Sequence, residues 1–358
     1  MNKIEDFLKN AEKIIILFHI DTDGICSAKI VNESLKRLNK KVLDYFPTSP
    51  QLLKSKTFQI GIVRDNPDLI ILVDISVDDD EPLIKNNKGR KFLIIDHHQV
   101  TKDLSNDNII HINPKLSGDE TYTPASKVCF DELNKVIDIE DLDWVSAVGI
   151  IGDTGGIFQK KFITKTLKKY KYAVKNDKDY FFDSFFGELS NIINSAKMCK
   201  GNDGAIKALK LIEESSTPNE FFEKAFELRM CNEQVEQYIN DSVELFEKSK
   251  EYLKDLDLYF FTFSPKYLIG STLSTILSFK YPAKTLVILT KKGNNTTVNF
   301  RRHDKTYDMG QLAKESVQGL KNAGGGGHIP AAGAHLQSKD VLTLKNNIMK
   351  KLGDMMHK

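Results

Sequence analysis

In Ile14-Ile15-Ile16-Leu17-Phe18-His19-Ile20-Asp21-Thr22-Asp23-Gly24 an apolar run passes directly into alternating polar side chains. Five aliphatic and aromatic residues between polar positions read as a short strand buried on both faces, the kind found in parallel sheets. In an extended segment His19, Asp21 and Asp23 project toward one face, and Gly24 permits a tight turn into a following helix. The arrangement recurs: Leu69-Ile70-Ile71-Leu72-Val73 runs into Asp74, and Phe92-Leu93-Ile94-Ile95 runs into Asp96-His97-His98. Open parallel α/β sheets bind ligands in the crevice outside the carboxyl ends of their strands. Polar residues far apart in the sequence are therefore expected to converge there.

Residues 28–38 between these runs carry a helical period, with Ile30, Val31, Leu35 and Leu38 apolar. Alternation of this kind from residue 13 to about 112 indicates a βαβ sheet with parallel strands. The sequence predicts a helix from residue 124 to about 136, with Thr123 as its N-cap and Pro124 in its first turn. A second is expected from about residue 139 to 152, with Leu142, Val145, Val148 and Gly149 on one face. It would deliver Asp153 to the mouth of the sheet. Gly152 and Gly155 beside Asp153 allow close backbone approach, and a helix C-cap followed by a turn accounts for them equally well.

From about 160 to 255 the chain is rich in lysine, glutamate and phenylalanine, with a helical period over residues 221–245 and a cluster at Phe181-Phe182 and Phe185-Phe186. That cluster reads either as a contact surface or, more economically, as a domain-packing core. Strands are expected at residues 256–263, 285–290 and 296–301, with a serine-rich helix over 270–279. The fold class is α/β: a parallel-sheet domain over 1–185, a helical linker over 186–254, and a smaller α/β domain over 255–358 with a glycine-rich loop.

A chain of 358 residues exceeds what one core usually fills. Its 41% hydrophobic and 28% charged content is that of a soluble globular protein. No apolar stretch approaches the roughly 20 residues that span a bilayer, so no membrane partner is expected. The first residues do not read as a secretory signal, and a cytoplasmic location is expected. A net charge of +2 does not announce nucleic-acid binding by itself. Cys26, Cys129, Cys199 and Cys231 form no Cys-x-x-Cys pair, which argues against a disulfide framework and structural zinc and predicts small buried side chains.

Adjacent histidines after an aspartate, as in Asp96-His97-His98, suit a ligand imidazole backed by a carboxylate. The clusters His19-Ile20-Asp21-Thr22-Asp23, Asp74, Asp96-His97-His98 and Asp153 offer carboxylate and imidazole donors without a thiolate. That set suits manganese, or magnesium, better than structural zinc. It is too large for one catalytic ion and about right for two divalent metal ions bridged by one aspartate. Such a pair activates a water beside a phosphorus atom and neutralises charge on the phosphoryl oxygens, which points to phosphoester hydrolysis. Later in the chain, Gly324-Gly325-Gly326-Gly327-His328 strips side chains from the backbone and frees N–H groups for an anion. Arg301 offers the usual bidentate partner of phosphate. Arg302, His303 and Lys305 beside it read as a solvated face. No Walker-type phosphate loop is present, and the glycine run lacks dinucleotide-binding spacing.

These residues resemble the DHH phosphoesterase superfamily. The resemblance rests on His19-x-Asp21-x-Asp23-Gly24, Asp74, Asp96-His97-His98, Gly152-Asp153 and Gly325-Gly326-Gly327-His328, five motifs in order along nearly the whole chain. It implies a catalytic domain, a helical linker, and a substrate-binding domain that closes over the cleft. By position, it implies His19, Asp21, Asp23, Asp74, His97 and Asp153 as metal ligands, with Asp74 as the bridge. Asp96 and His98 join the catalytic group, His98 orienting ligands or contacting phosphate. Arg301, Gly325, Gly326, Gly327 and His328 would contact substrate, although Asn299 and Arg302 stand where the family has serines. The compact His-x-Asp-x-Asp spacing is similar to RecJ-type single-strand exonucleases. The chain length is nearer that of the oligoribonuclease and cyclic-dinucleotide-product phosphodiesterases, so the expected partners are single-stranded nucleic acid or very short oligonucleotides. A non-catalytic replication or repair module would have lost metal ligands, and none is lost here. An active nuclease can also dock on a replication or repair factor.

Overall fold

The computed structural model describes residues 3–77, 81–119, 121–153, 156, 158–173 and 181–356. They fall into two compact units, Met1–Asn232 and Glu233–Lys358. Gly155, expected to flank Asp153, lies outside the described residues.

Among the described residues, the first unit holds a five-stranded parallel sheet of β1 (Ile14–His19), β2 (Val42–Thr48), β3 (Leu69–Val73), β4 (Lys91–Ile95) and β5 (Ile109–Ile112), in the order β2-β1-β3-β4-β5. The near-continuous apolar runs have a simple cause. Ile14, Ile16, Phe18, Ile71 and Leu93 point into a core shared with the helices Thr22–Arg37, Ala125–Leu133 and Asp143–Gly152. Their neighbours Ile15, Leu17, Ile70, Leu72 and Ile94 point into a second core with Leu53, Ile62 and Leu83. Each such aliphatic side chain contributes roughly 1.5–3 kcal/mol on burial. The chain leaves β1 toward β2 on one side and returns to β3 on the other, so the strand order reverses between β1 and β3. That switch point opens a crevice at their carboxyl ends.

Several local expectations change. The helix predicted from residue 124 runs Ala125–Leu133, and Thr123 does not cap it; its hydroxyl donates to the Thr121 carbonyl at 3.3 Å. The cap comes from Asp23, about a hundred residues earlier. The second helix is preceded by a 3-10 turn at Glu140–Leu142 and runs Asp143–Gly152, with Asp153 as its C-cap. The helical period over 221–245 is broken at Ala225 into the helices Pro218–Lys224 and Phe226–Ser249.

The stretch expected as a linker does not stand apart. Phe186, Leu189, Ile193, Leu209 and Phe221 lie in the core of the first unit. The phenylalanine cluster is mainly core, although Phe182 is 48% exposed. Cys199 and Cys231 form a disulfide, contrary to the expectation of isolated thiols. The helices Phe185–Glu213 and Phe226–Ser249 meet there, and Ser195 Oγ donates to Asn232 Oδ1 at 2.5 Å beside the bridge. A separation of 32 residues does not announce a pairing made by tertiary contact. Cys26 and Cys129 are buried free thiols.

The second unit, among the described residues, holds a six-stranded mixed sheet of β6 (Glu251–Leu253), β7 (Leu258–Phe263), β8 (Thr285–Lys292), β9 (Asn295–Arg301), β10 (Gly324–His328) and β11 (Ala331–Gln337). Its order is β10-β11-β9-β8-β7-β6. Leu312, Ala313, Leu344 and Ile348, from the helices Met309–Ser316 and Val341–Met356, pack on Leu258, Val287, Val298 and Phe300. The glycine run, expected as a loop, is the edge strand β10, paired antiparallel with β11. A Cβ on Gly325 would stand 2.6 Å from the Ala313 carbonyl oxygen, so the missing side chains let the Met309–Ser316 helix lie on the strand. Arg302 is not on a solvated face. It is 5% exposed, with Nε and Nη2 donating to Asp304 at 2.8 and 3.1 Å and Nη1 donating to Thr285 Oγ1 at 3.2 Å. No described helix is long and apolar enough to cross a membrane.

Candidate metal centre

The centre lies at the switch point of the first sheet. β1 ends on His19, and Asp21 caps the Thr22–Arg37 helix by accepting from Gly24 N at 3.2 Å. The turn is so tight that a Cβ on Gly24 would stand 2.2 Å from the His19 carbonyl oxygen. Asp21 is thus both a helix cap and a donor to the site. Asp23, 1% exposed, accepts from Ala125 N at 2.7 Å and Ser126 N at 3.0 Å, so it caps the Ala125–Leu133 helix at its positive end.

Asp74 follows β3 with φ at +58°, a left-handed conformation that aspartate tolerates better than most side chains. Its N–H donates to the Ile95 carbonyl at 3.0 Å. After β4, Asp96 accepts from His98 N at 3.2 Å and lies 2.7 Å from His98 Nδ1. Asp96 therefore orients His98.

The two oxygens of Asp74 face different partners. Oδ2 lies 3.5 Å from His19 Nδ1, which is itself 2.7 Å from Asp21 Oδ2. Oδ1 lies 3.3 Å from His97 Nε2, which is 3.5 Å from Asp153 Oδ2. His98 Nδ1 stands 4.0 Å from the same Oδ1. Three donor groups result, each within 4.8 Å: His19, Asp21 and Asp74; Asp23, His97 and Asp153; Asp74, His97 and His98.

The electrostatics of the centre follow from its burial and its crowded carboxylates. Burial, reinforced by Asp74 and Asp153, pushes the Asp23 carboxyl well above the ordinary range. Burial also pushes Asp153 up to about 6, against the opposing pull of His97 and Tyr122. Burial works against charge on His19, but Asp21 and Asp74 outweigh it and raise the imidazole to about 10. His97 is likewise disfavoured as a cation by burial, yet Asp74, Asp23 and Asp153 raise it to about 9. Asp21 is held well below its usual range by His19 and Lys197 despite its burial. Buried carboxylates that repel one another, with imidazoles held protonated to offset them, fit a centre that divalent cations would neutralise.

All six residues expected as ligands converge here, with His98 beside them and Asp96 behind it. Sequence reasoning missed Tyr122, whose hydroxyl donates to Asp153 Oδ2 at 2.6 Å and whose ring edge meets His97 at 5.4 Å. It also missed Lys115 and Asn113, which donate to the carbonyls of His97 at 2.9 Å and His98 at 3.0 Å. None sits in an acidic or histidine cluster, so no sequence signal marked them.

Arg301, Gly325, Gly326, Gly327 and His328 belong to the second unit. Ala331 of β11 pairs with His328 on one side and Arg301 on the other, so the two lie in one row, roughly 10 Å apart across three strands. The Arg301 guanidinium donates to the carbonyls of Phe300 at 3.0 Å and Ala332 at 3.4 Å. It also donates to Ser271 Oγ at 3.2 Å, in the first turn of the Gly270–Lys280 helix.

Residues 13–153 match the DHH family, N-terminal domain, and residues 268–356 match the DHHA1 domain. An uncharacterized protein of Methanocaldococcus jannaschii is 32% identical over 182 residues, covering 48% of this chain and 41% of that protein. The chain thus matches less than half the length of that relative. RecJ of Thermus thermophilus in complex with Mn2+ has a TM-score of 0.75 at 16% identity, covering 98% of this chain and 53% of that one. An exonuclease RecJ bound to manganese has a TM-score of 0.71 at 16% identity, covering 98% and 93%. At these identities the structural likeness is one of fold.

Proposed function

Because the chain belongs to the DHH superfamily, with its N-terminal domain at residues 13–153 and a DHHA1 domain at residues 268–356, we propose that it is a divalent-metal-dependent phosphodiesterase that removes nucleotides from the end of single-stranded DNA or RNA. The observation that carries this reading is the two-way orientation of Asp74. One oxygen faces His19 and Asp21, and the other faces His97, with Asp153 beyond it. His19, Asp21 and Asp74 would hold one divalent ion, and Asp23, Asp74, His97 and Asp153 would hold a second. The manganese in the RecJ structures supports manganese as the metal, with magnesium as the alternative.

Divalent cations bound there would supply Lewis acidity and a water acidic enough to attack phosphorus near neutral pH. The chain's own residues do the rest. Asp96 engages His98 Nδ1 and leaves Nε2 to face a phosphate oxygen. Tyr122 fixes the Asp153 carboxylate, and the peptide N–H groups of Ala125 and Ser126 fix Asp23. In the second unit, Arg301 and His328 contact further phosphates of the strand. Gly326, where a Cβ would meet nothing within 4 Å, leaves room for the strand's backbone to come close, whereas Gly325 and Gly327 pack against the Met309–Ser316 helix and β11.

The test is degradation of end-labelled single-stranded DNA and RNA with Mn2+, using long strands and oligomers of about two to five nucleotides. Stepwise loss from the long strand is expected. Activity confined to the shortest oligomers would move the protein to oligonucleotide turnover, and no hydrolysis of any of them would overturn the reading.

A further inference from the structure

Four aromatic rings lead from the metal centre to solvent. The His98 and His97 centroids are 4.6 Å apart, His97 meets Tyr122 edge-on at 5.4 Å, and Tyr122 lies 6.0 Å from Phe158 with their planes at 41°. His97 is buried at 6% exposure, the His98 side chain is 42% exposed, and Phe158 is 62% exposed. A lone exposed phenylalanine needs no explanation. Phe158 is different because of what it leans on. Tyr122 is held at one end by the hydrogen bond of its hydroxyl to Asp153 Oδ2 at 2.6 Å. At the other end its carbonyl accepts from Gln159 Nε2 at 3.4 Å, and that nitrogen also donates to Thr123 Oγ1 at 3.3 Å. The residue after Phe158 is thus tied to the segment carrying Tyr122. Among the described residues, Phe158 belongs to none of the hydrophobic cores.

We propose that Phe158, backed by Tyr122, is a stacking platform for a nucleobase of the strand whose phosphate lies at the metal centre. This rests on the phosphodiesterase reading above. Tyr122 makes the step from the metal centre to the platform, its hydroxyl on Asp153 Oδ2 at 2.6 Å and its ring centroid 6.0 Å from that of Phe158. Stacking on an aromatic face tolerates every base, because each has a π-face and no edge is read. The site therefore recognises the presence of a base and not its identity. It distinguishes a nucleic-acid strand from a bare phosphodiester.

The experiment measures equilibrium binding, with Mn2+ present, of a phosphorothioate-linked DNA about six nucleotides long and of the matching abasic backbone. Wild type, Phe158→Ala and Phe158→Trp are compared. Loss of one stacked base predicts about tenfold weaker binding of the base-bearing strand to Phe158→Ala. Binding of the abasic strand should be unchanged, and Phe158→Trp should retain wild-type affinity. Equal affinities for wild type and Phe158→Ala, or an equal loss for both probes, would overturn the proposal. Hydrolysis of an ordinary oligonucleotide by wild type is followed in parallel. A protein that discriminates the two probes through Phe158 yet hydrolyses nothing would keep the platform and overturn the phosphodiesterase reading.

Discussion

Tyr122→Phe removes one hydroxyl and leaves the ring against His97 and Phe158. In the folded protein that hydroxyl donates to Asp153 Oδ2 at 2.6 Å, a short bond to a group that must be ionised to hold a cation. Hydrogen bonds to charged groups contribute roughly 1.5–3 kcal/mol, and partial exposure of Tyr122 puts this one near the lower figure. At about 1.4 kcal/mol per factor of ten, the variant should bind Mn2+ about tenfold more weakly. There is a second consequence. Burial already raises Asp153 to about 6, and the tyrosine opposes that rise, so its removal should push the carboxyl higher still. The loss should therefore be larger at pH 6 than at pH 8, where Asp153 is ionised in both proteins. Calorimetric titration with Mn2+ at both pH values measures it, with melting in EDTA as a check on the fold. Equal dissociation constants for variant and wild type at pH 6 would refute the role given to Tyr122.

With His19 raised to about 10 and His97 to about 9, both imidazoles are protonated at pH 7 in the metal-free protein. Cation binding should therefore release protons and tighten as pH rises toward 9. Titrations in two buffers of different ionisation enthalpy would show this, and identical heats would contradict it. The same raised values stabilise the metal-free fold fully below the unfolded pKa of about 6.5 and lose that effect as pH passes 9 to 10, so melting in EDTA should weaken across that window. Gly149→Ala would place a Cβ 2.4 Å from Ser126 Oγ and 3.0 Å from Asp23 Oδ1. An overpacking cost of about 1–3 kcal/mol and weakened Mn2+ binding are expected, and a wild-type melting temperature and affinity would contradict that packing. Arg302→Ala should destabilise the second unit by about 1–3 kcal/mol, because the buried Thr285 hydroxyl loses its donor and the guanidinium leaves the Tyr307 ring. Arg301→Ala should lower oligonucleotide affinity with the smaller change in melting, and the reverse ranking would refute this division of labour.

The central strands β1, β3 and β4 were legible because both their faces are buried, which leaves unbroken apolar runs. The edge strands were not. β2, Val42-Leu43-Asp44-Tyr45-Phe46-Pro47-Thr48, mixes exposed and buried positions and contains a proline. β5 is four residues long. That His19, Asp74 and His97 would meet was legible for the same reason as the strands, since a polar residue that ends a buried run at a sheet's carboxyl edge has few other places to be, whereas Asp153 arrives at the end of a helix. Local reading failed where the outcome is decided at long range. Thr123 is a reasonable cap by sequence, but Asp23 reaches the Ala125 and Ser126 N–H groups instead. The glycine run has the composition of an anion loop, whereas it forms an edge strand in which Gly325 lies under the Met309–Ser316 helix and Gly324 and Gly327 lie close against β11. Cys199 and Cys231 are bonded because two helices meet, and Tyr122 reaches Asp153 across 31 residues. No local pattern encodes either approach.

Asp74 joins the two halves of the centre, and Asp74→Asn tests it with the least disturbance, because asparagine also tolerates the left-handed backbone at φ +58°. The decisive measurement is Mn2+ bound per chain, together with the rate of nucleotide release from a labelled single strand, for wild type and Asp74→Asn. Two ions and measurable hydrolysis are expected for wild type, with the variant losing at least one ion and falling by about a thousandfold or more in rate. An unchanged rate in Asp74→Asn with its metal content intact would contradict a centre bridged by Asp74.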